Sequence, residues 1–254
     1  MQNKKPQIDI VIPIYNEEVE LEDNITKLHT FLGTYKTDYS FSIVIADNAS
    51  TDQSGAIGKK LSKKFPTVSY IYLDKKGRGR AVKKVWSTSD ADFVAYMDVD
   101  LSTDLNHFPS LIKALQEGAD IAIGSRLLKQ SKVDKRPLKR EILSRGYNFM
   151  IKLLFNSSFS DAQCGFKAIN RRAKNDLLPL IKDNEWFFDS ELLIVGEKAG
   201  FKIKEVPVVW VDNPGSTVRV LKTVSGDLYG LWRLFSTQPW RRLHNPITNL
   251  RKVK

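Results

Sequence analysis

The sequence predicts an α/β protein built on a doubly wound, mostly parallel central sheet with helices on both faces. Three features lead there. Short continuous apolar runs recur through the first half, amphipathic stretches with helical spacing separate them, and each run ends in polar or turn-forming residues. Apolar runs without alternation belong to strands covered on both faces. Strand followed by helix, repeated, calls for parallel pairing through crossovers.

The strand runs are IDIVIPIY (8–15), FSIVIADN (41–48), VSYIYLD (68–74), ADFVAYMDVD (91–100) and ADIAIGSR (119–126). Between them Leu21, Ile25, Leu28 and Leu32 repeat at the helical period, and the apolar residues from Leu105 to Leu115 do the same, with Pro109 suited to a first turn. The second half is less regular. It reads as an amphipathic helix at 138–156, a loop DAQCGFKAIN (161–170), helices near 171–182 and 189–199, a strand around 203–211 and a last helix near 217–236. The expected organisation is a single compact domain over 1–254, with a ligand-binding half 1–125, a second half 126–216 and an amphipathic basic tail 217–254.

With 254 residues, 42% hydrophobic and 27% charged, the chain can bury a substantial core. Collagen-like, coiled-coil, disordered and small disulfide-stapled classes are excluded. The single cysteine, Cys164, cannot form an internal disulfide, so a reducing compartment, the cytoplasm, is expected, and a cysteine-based zinc site is not. No stretch approaches the ~20 apolar residues of a membrane span, and MQNKKPQIDIVIP reads as a polar lead into a strand rather than a signal peptide.

The net charge of +11 is unevenly placed. Residues 126–152 hold nine basic and two acidic side chains, and residues 219–254 hold eight and one, leaving a slightly acidic remainder. Two basic blocks on such a body predict a surface directed at anions.

In a doubly wound sheet ligands sit beyond the carboxyl ends of the strands, here Pro13 to Glu17, Asp47 to Asp52, Asp98 to Asp100 and Gly124 to Arg126. Asp98-Val99-Asp100 is the sharpest of these. Residues two apart on an extended segment share a face, so both carboxylates can converge where the strand runs out. Like charges so placed favour a cation between them, and hard oxygen ligands suit Mg²⁺ or Mn²⁺ with diphosphate oxygens and water completing the shell. There is no G-x-x-x-x-G-K-[ST] loop and no complete dinucleotide fingerprint, so neither an NTPase nor a dehydrogenase is indicated. KKGRGRAVKKVW (75–86) reads as a turn and helix start offering N–H groups and cations to a diphosphate, or else as a basic surface helix.

Taken in order, VIPIYNEE (11–18), IADNASTD (45–52), KGRGRAVKKVW (76–86), YMDVDLST (96–103) and IGSR (123–126) resemble the inverting family-2 glycosyltransferases with the glycosyltransferase A fold. PLKREILSRGYN (137–148), DAQCGFKAI (161–169), WFFDSELL (186–193) and EVPVVWVDNPGS (205–216) extend the resemblance to the polyprenyl-phosphate, or dolichyl-phosphate, sugar synthases, above all the glucosyltransferases. It covers residues 8–232.

By position, the resemblance implies that Pro13, Tyr15, Glu17 and Asp47 hold the base and ribose of a nucleotide sugar, with Asn16, Gly77, Arg78 and Val99 completing the donor set. Asp98 and Asp100 match the metal-diphosphate pair, and Arg126, Arg140 and Ser144 match positions that bind a lipid phosphate. Asp161 is the candidate for a base or an orienting group, and Gln163, Asp189 and Glu191 fall near sugar and acceptor. The chain departs from the pattern in Asp47-Asn48 for two aspartates, Ala49 for a glycine and Thr217 for a lysine, for which Arg219 is a possible stand-in. The implied reaction passes a hexose, glucose from UDP-glucose first and mannose from GDP-mannose second, to polyprenyl or dolichyl phosphate with inversion. A soluble or glycan acceptor is the alternative within the family.

Leu221, Val224, Leu228, Leu231 and Phe235 form a stripe bordered by Trp232, Trp240 and arginines, and 138–156 carries a second set of apolar and basic residues. Such stripes either pack on the sheet or a partner or lie in an anionic bilayer interface. The expectation is a peripheral protein on the cytoplasmic membrane face, with a separate membrane protein as a possible partner because related enzymes often carry extra membrane helices. Nucleic acid is not expected as a partner, since aspartates at the strand ends repel phosphate in the absence of metal.

Overall fold

The computed structural model describes residues 5–35, 37–134, 137–211 and 220–244, with side chains of the last segment described from 224 to 243. Seven strands form one sheet in the order β3-β2-β1-β4-β7-β5-β8. They are β1 (Gln7–Ile14), β2 (Ser40–Asn48), β3 (Val68–Leu73), β4 (Phe93–Met97), β5 (Ile121–Ser125), β7 (Phe166–Asn170) and β8 (Ile203–Pro207). β1 pairs in parallel with β2 and β4, β2 with β3, and β5 with β8. A two-stranded parallel ribbon, β6 (Lys132–Asp134) with β9 (Val209–Val211), stands apart.

The sheet corrects the expected loop at 161–170. Its second half is β7, which pairs antiparallel with both β4 and β5 and so occupies the middle of the sheet. The expected strand around 203–211 is two strands, β8 and β9, interrupted at Val208 and assigned to different ladders.

Helices cover both faces, as the apolar runs require. β1 sends Ile8, Ile10, Ile12 and Ile14 to one side, where they meet Leu21, Ile25, Leu28 and Leu32 of α1 (Leu21–Thr34) and Phe108, Leu111 and Leu115 of α4 (Phe108–Gln116). Pro109 takes the first turn of α4, where a missing N–H is harmless. Val11 of the same strand faces the other core, with Val82, Val85 and Trp86 of α3 (Arg78–Thr88) and Leu192 to Val195 of α7 (Phe188–Lys198). The remaining helices are α2 (Ser54–Lys64), α5 (Leu138–Phe155), α6 (Arg171–Leu177), α8 (Val220–Thr237) and the short α9 (Arg241–His244). Among the described residues no helix is long and apolar enough to cross a membrane.

α5 and α8 leave large apolar side chains exposed. On α5 only Asn148, Ile151 and Phe155 are buried, while Leu138, Ile142, Phe149 and Leu153 are exposed. The stripe expected on α8 is split: Leu231 is buried, whereas Val224, Leu228 and Phe235 are exposed beside Tyr229 and Trp232. The face of α8 turned to the protein is Asp227, Gly230, Leu231 and Leu234.

Candidate active site at the carboxyl edge of the sheet

The carboxyl ends of β1, β2 and β4 open on one edge, and two loops there are laced together. Asn16 takes a left-handed conformation at φ 57° and accepts the Thr51 N–H at 2.8 Å, while its own N–H donates to the Ser50 hydroxyl at 3.0 Å. The Glu17 N–H donates to Ser54 Oγ at 2.7 Å. Pro13 is buried in the register with Ala46, and Tyr15 carries the Lys76 ammonium 3.3 Å over its ring. Asp47 is fully buried at the end of β2 and accepts from Ser50 N at 2.8 Å and from the Tyr70 hydroxyl at 2.7 Å. Asn48 bridges further, donating to the Ile14 carbonyl and accepting the Gly77 N–H at 3.0 Å, which ties the start of α3 to the strand ends.

Asp98, Val99 and Asp100 follow β4. Val99 is buried, while the two carboxylates are partly exposed, with Asp98 close enough to act on Asp100. Burial, and then the charge of Asp98, pushes the Asp100 carboxyl above its ordinary range. Glu17 is pushed up to about 7, first by burial and then by Glu20, Asp100, Asp52 and Asp98. This mouth is strongly negative. Mg²⁺ or Mn²⁺ fits the donor set, because such ions take one or two carboxylates and leave the other positions to phosphate and water. Among the described residues no group of three or more metal-ligating His, Cys, Asp or Glu gathers.

Arg78, expected to face a diphosphate, sits on Asp98. Its Nη2 and Nε reach Oδ1 at 2.6 and 3.1 Å, and Nη1 reaches Asp189 Oδ2 at 2.5 Å. Its guanidinium also lies 5.1 Å from the centroid of the Trp186 ring. Asp189 is buried and accepts from three groups: Arg78, the Tyr96 hydroxyl and the Lys167 ammonium, the last at 2.9 Å. Burial works against this carboxylate, but the charges of Lys167 and Arg78 and the hydrogen bonds hold it below the ordinary range. Lys167, fully buried on β7, also donates to the carbonyls of Ala162 and Cys164 at 3.1 and 2.5 Å. One buried lysine thereby joins the central antiparallel strand, α7 and the loop before β7.

That loop holds Asp161. The carboxylate is fully buried and takes three hydrogen bonds from Arg126: the backbone N–H at 2.9 Å, Nε at 2.8 Å and Nη2 at 2.9 Å. Despite burial, the charge and hydrogen bonds of Arg126 bring the Asp161 carboxyl down to about 2. Such a group is a poor proton acceptor near neutrality and a good orienting one. Arg126 lies at the end of β5, with its guanidinium 5.4 Å from the Trp210 ring centroid. Arg140 and Ser144 lie on α5 four residues apart, so they share a face of that helix. Cys164 is buried, and burial pushes its thiol up to about 12, which leaves it unreactive.

Lys167, Tyr96 and Asp227 were not singled out from the sequence. A lysine in FKAIN was the available signal for the first. Asp227 on α8 is 6% exposed, accepts from Gln163 Nε2 at 2.9 Å, and is pushed up to about 7 by burial, against the lowering effect of that hydrogen bond. Arg80, Lys83 and Lys84 of the 75–86 motif line a groove of about 590 Å³ with Lys174. Thr217 and Arg219 lie outside the described residues.

The pattern of glycosyl transferase family 2 matches residues 9–178. Glycosyltransferase AglD of Haloferax volcanii is 31% identical over 222 residues, which take in 87% of this chain and 35% of AglD, so the chain spans about a third of that relative. The dolichyl-phosphate beta-glucosyltransferases of Dictyostelium discoideum and Homo sapiens are 29% and 28% identical, over 85% and 83% of this chain and 71% and 69% of their own lengths. In architecture the chain is similar to glucosyl-3-phosphoglycerate synthase from Mycobacterium tuberculosis in complex with Mn²⁺, UDP-glucose and phosphoglyceric acid, with a TM-score of 0.65, 14% identity and coverage of 91% and 79%. The sheet order, the acidic pair after its fourth strand and the family match over residues 9–178 agree, and the chain belongs to glycosyl transferase family 2.

Proposed function

We propose that the protein transfers a hexose from a nucleotide sugar, glucose from UDP-glucose first, to a polyprenyl or dolichyl phosphate with inversion. The observation that supports this reading is the pair of partly exposed carboxylates after β4, Asp98 and Asp100, with the Arg126 guanidinium close enough to be acted on by the charge of Asp98; Arg140 and Ser144 join the acceptor side through the family resemblance. The names of the relatives that act on dolichyl phosphate favour the lipid acceptor.

A phosphate monoester has its second pKa near ~6, so the acceptor is already an anionic nucleophile at neutral pH. Chemistry then reduces to bringing two anions together in line and stabilising the leaving diphosphate. Asp98 and Asp100 would hold Mg²⁺ or Mn²⁺, which supplies positive charge to the leaving group. Pro13, Tyr15, Asn16, Glu17 and Asp47 border the base and ribose, while Gly77, Arg78 and Val99 border the diphosphate. Arg140 and Ser144 receive the acceptor phosphate together with Arg126. Asp161 orients Arg126: two hydrogen bonds hold the guanidinium in one direction, a third holds its backbone N–H, and a carboxyl at about 2 keeps that pair intact at every pH of interest.

The lipid reaches the site across the uncovered faces of α5 and α8. Phe149, Leu153, Trp232 and Phe235 are exposed among Lys139, Lys152, Arg241 and Arg242, a composition suited to an anionic bilayer interface on the cytoplasmic side. The deciding assay offers a panel of nucleotide sugars with a short polyprenyl phosphate, with and without divalent metal, and scores UDP or GDP release. Lipid-linked sugar formed from UDP-glucose in a metal-dependent way is the expected result. Turnover with soluble acceptors alone would overturn it.

A further inference from the structure

We infer that Asp227 of α8 is a positioning residue of the acceptor side, setting the direction of the Gln163 side chain through the hydrogen bond at 2.9 Å. This rests on the reading of 161–165 as part of the acceptor site. The residue lies beyond the family match at 9–178.

The loop shows why one side chain needs such a hold. The backbone on either side of Gln163 is already pinned: the Ala162 N–H donates to Asn148 Oδ1 at 2.8 Å, Lys167 takes the carbonyls of Ala162 and Cys164, and the Gly165 carbonyl accepts from Asp98 N at 3.1 Å. Gln163, between them, is held from outside the loop. Its position matters because two residues on the chain reaches Gly165, which backs the Asp98 carboxylate, and two residues back it reaches Asp161 and hence Arg126.

α8 is fixed well enough to act as the holder. A Cβ on Gly230 would overlap the Phe187 ring, so helix and ring are in closest approach there. One turn on, Arg233 Nη1 donates to the buried Glu191 at 2.8 Å, and Glu191 also accepts the N–H groups of Lys182 and Asp183 at 3.2 and 2.7 Å. These two contacts set the rotation and height of the helix, and they place Asp227 against the loop.

Stability does not account for the acid. Asp227 is 6% exposed, Asp183 and Asp189 are the charged neighbours that act on it, and both disfavour its ionisation. Asp189 itself is matched by Arg78 and Lys167, whereas the group that favours charge on Asp227 is the Gln163 amide. A neutral side chain would avoid that repulsion. A carboxylate retained at such a cost, at hydrogen-bond distance from a loop of the site, is explained by what it holds.

The test uses the full chain with Asp227→Asn, Asp227→Ala, Gln163→Ala and the double alanine variant. With polyprenyl phosphate, Asp227→Ala is expected to lower kcat about 10- to 100-fold, as a misplaced group in a site does, with KM for the nucleotide sugar within about twofold of wild type. Asparagine keeps an acceptor and the shape, so it restores most of the rate. The double variant is no slower than Asp227→Ala alone. Unchanged kcat in Asp227→Ala, equal damage from asparagine, or multiplying effects in the double variant would each overturn the inference. Should the alanine variant not fold, the asparagine and Gln163→Ala variants carry the comparison. A readout independent of turnover is the side-chain amide resonance of Gln163, expected to move in Asp227→Asn. An unmoved resonance overturns the inference even where the transfer reaction is established. Absence of any transfer by wild type refutes the proposed function instead, leaving the resonance to decide the contact.

Discussion

The Gly165 carbonyl accepts the Asp98 N–H at 3.1 Å, and the Asp98 carboxylate occupies the space that a side chain on residue 165 would fill. A Cβ there would overlap Asp98 Oδ2 and come within 2.6 Å of Arg78 Nη2. Gly165→Ala is therefore expected to expel Asp98 from its place and lower turnover by about 100-fold. Far-UV circular dichroism should remain that of the wild type. Activity within a few-fold of wild type would show that the carboxylate has room elsewhere.

Ala49 has a left-handed backbone at φ 70°. That conformation costs a non-glycine residue roughly 1–2 kcal/mol, partly offset by the greater unfolded-state freedom of glycine. Ala49→Gly should stabilise the fold by about 0.5–1 kcal/mol in urea unfolding, through an increase in the midpoint at constant slope.

The Asp161–Arg126 pair carries a pH signature. The folded carboxyl lies at about 2 and its ordinary value is 3.8, so its contribution is fully present above 3.8 and is lost as pH falls through about 2. The difference is worth roughly 2 kcal/mol. Asp161→Asn should remove that part of the acid dependence and, by leaving Arg126 unpaired, destabilise the protein by about 3 kcal/mol or more at pH 7. Chemical denaturation at several pH values measures both.

Arg140→Lys keeps the charge and loses the planar fork that pairs with two phosphate oxygens. Its KM for polyprenyl phosphate should rise about tenfold, with donor KM unchanged. Equal kinetics for the two residues would remove Arg140 from the acceptor set.

Flotation with anionic liposomes checks the α5 and α8 faces. Salt-sensitive association is expected, weakened by Phe149→Glu or Trp232→Glu, both at exposed positions where folding should be little affected. Association untouched by salt and by either change would place the contact elsewhere.

Much of the fold is legible because apolar runs and helical spacing are local. β3, β4 and β5 lie within the runs read from sequence, β1 and β2 begin one residue before theirs, and α1 buries the four residues its spacing picks out. β7 escaped because Lys167 interrupts a five-residue run, and what allows a lysine there is Asp189, two carbonyls and a strand on either side, all distant in sequence. Asp227 escaped for the same reason: an acid on an amphipathic helix reads as solvent-facing until its helix is docked. The site residues at strand ends were found because parallel topology sends them to one edge. The pairings among them were not, since Arg78 meets Asp98 across 20 positions and Arg126 meets Asp161 across 35.

β4 and β5 are separated in the sheet by a strand that emerges from the ribosome after both of them. During synthesis the nascent polypeptide therefore exposes the free edge of β4, and a β5 with neither of its sheet partners, until residues 166–170 arrive to fill the gap. A truncated product ending at 125 would retain that gap, an opening prone to intermolecular pairing, so biogenesis depends on the late segment slotting home.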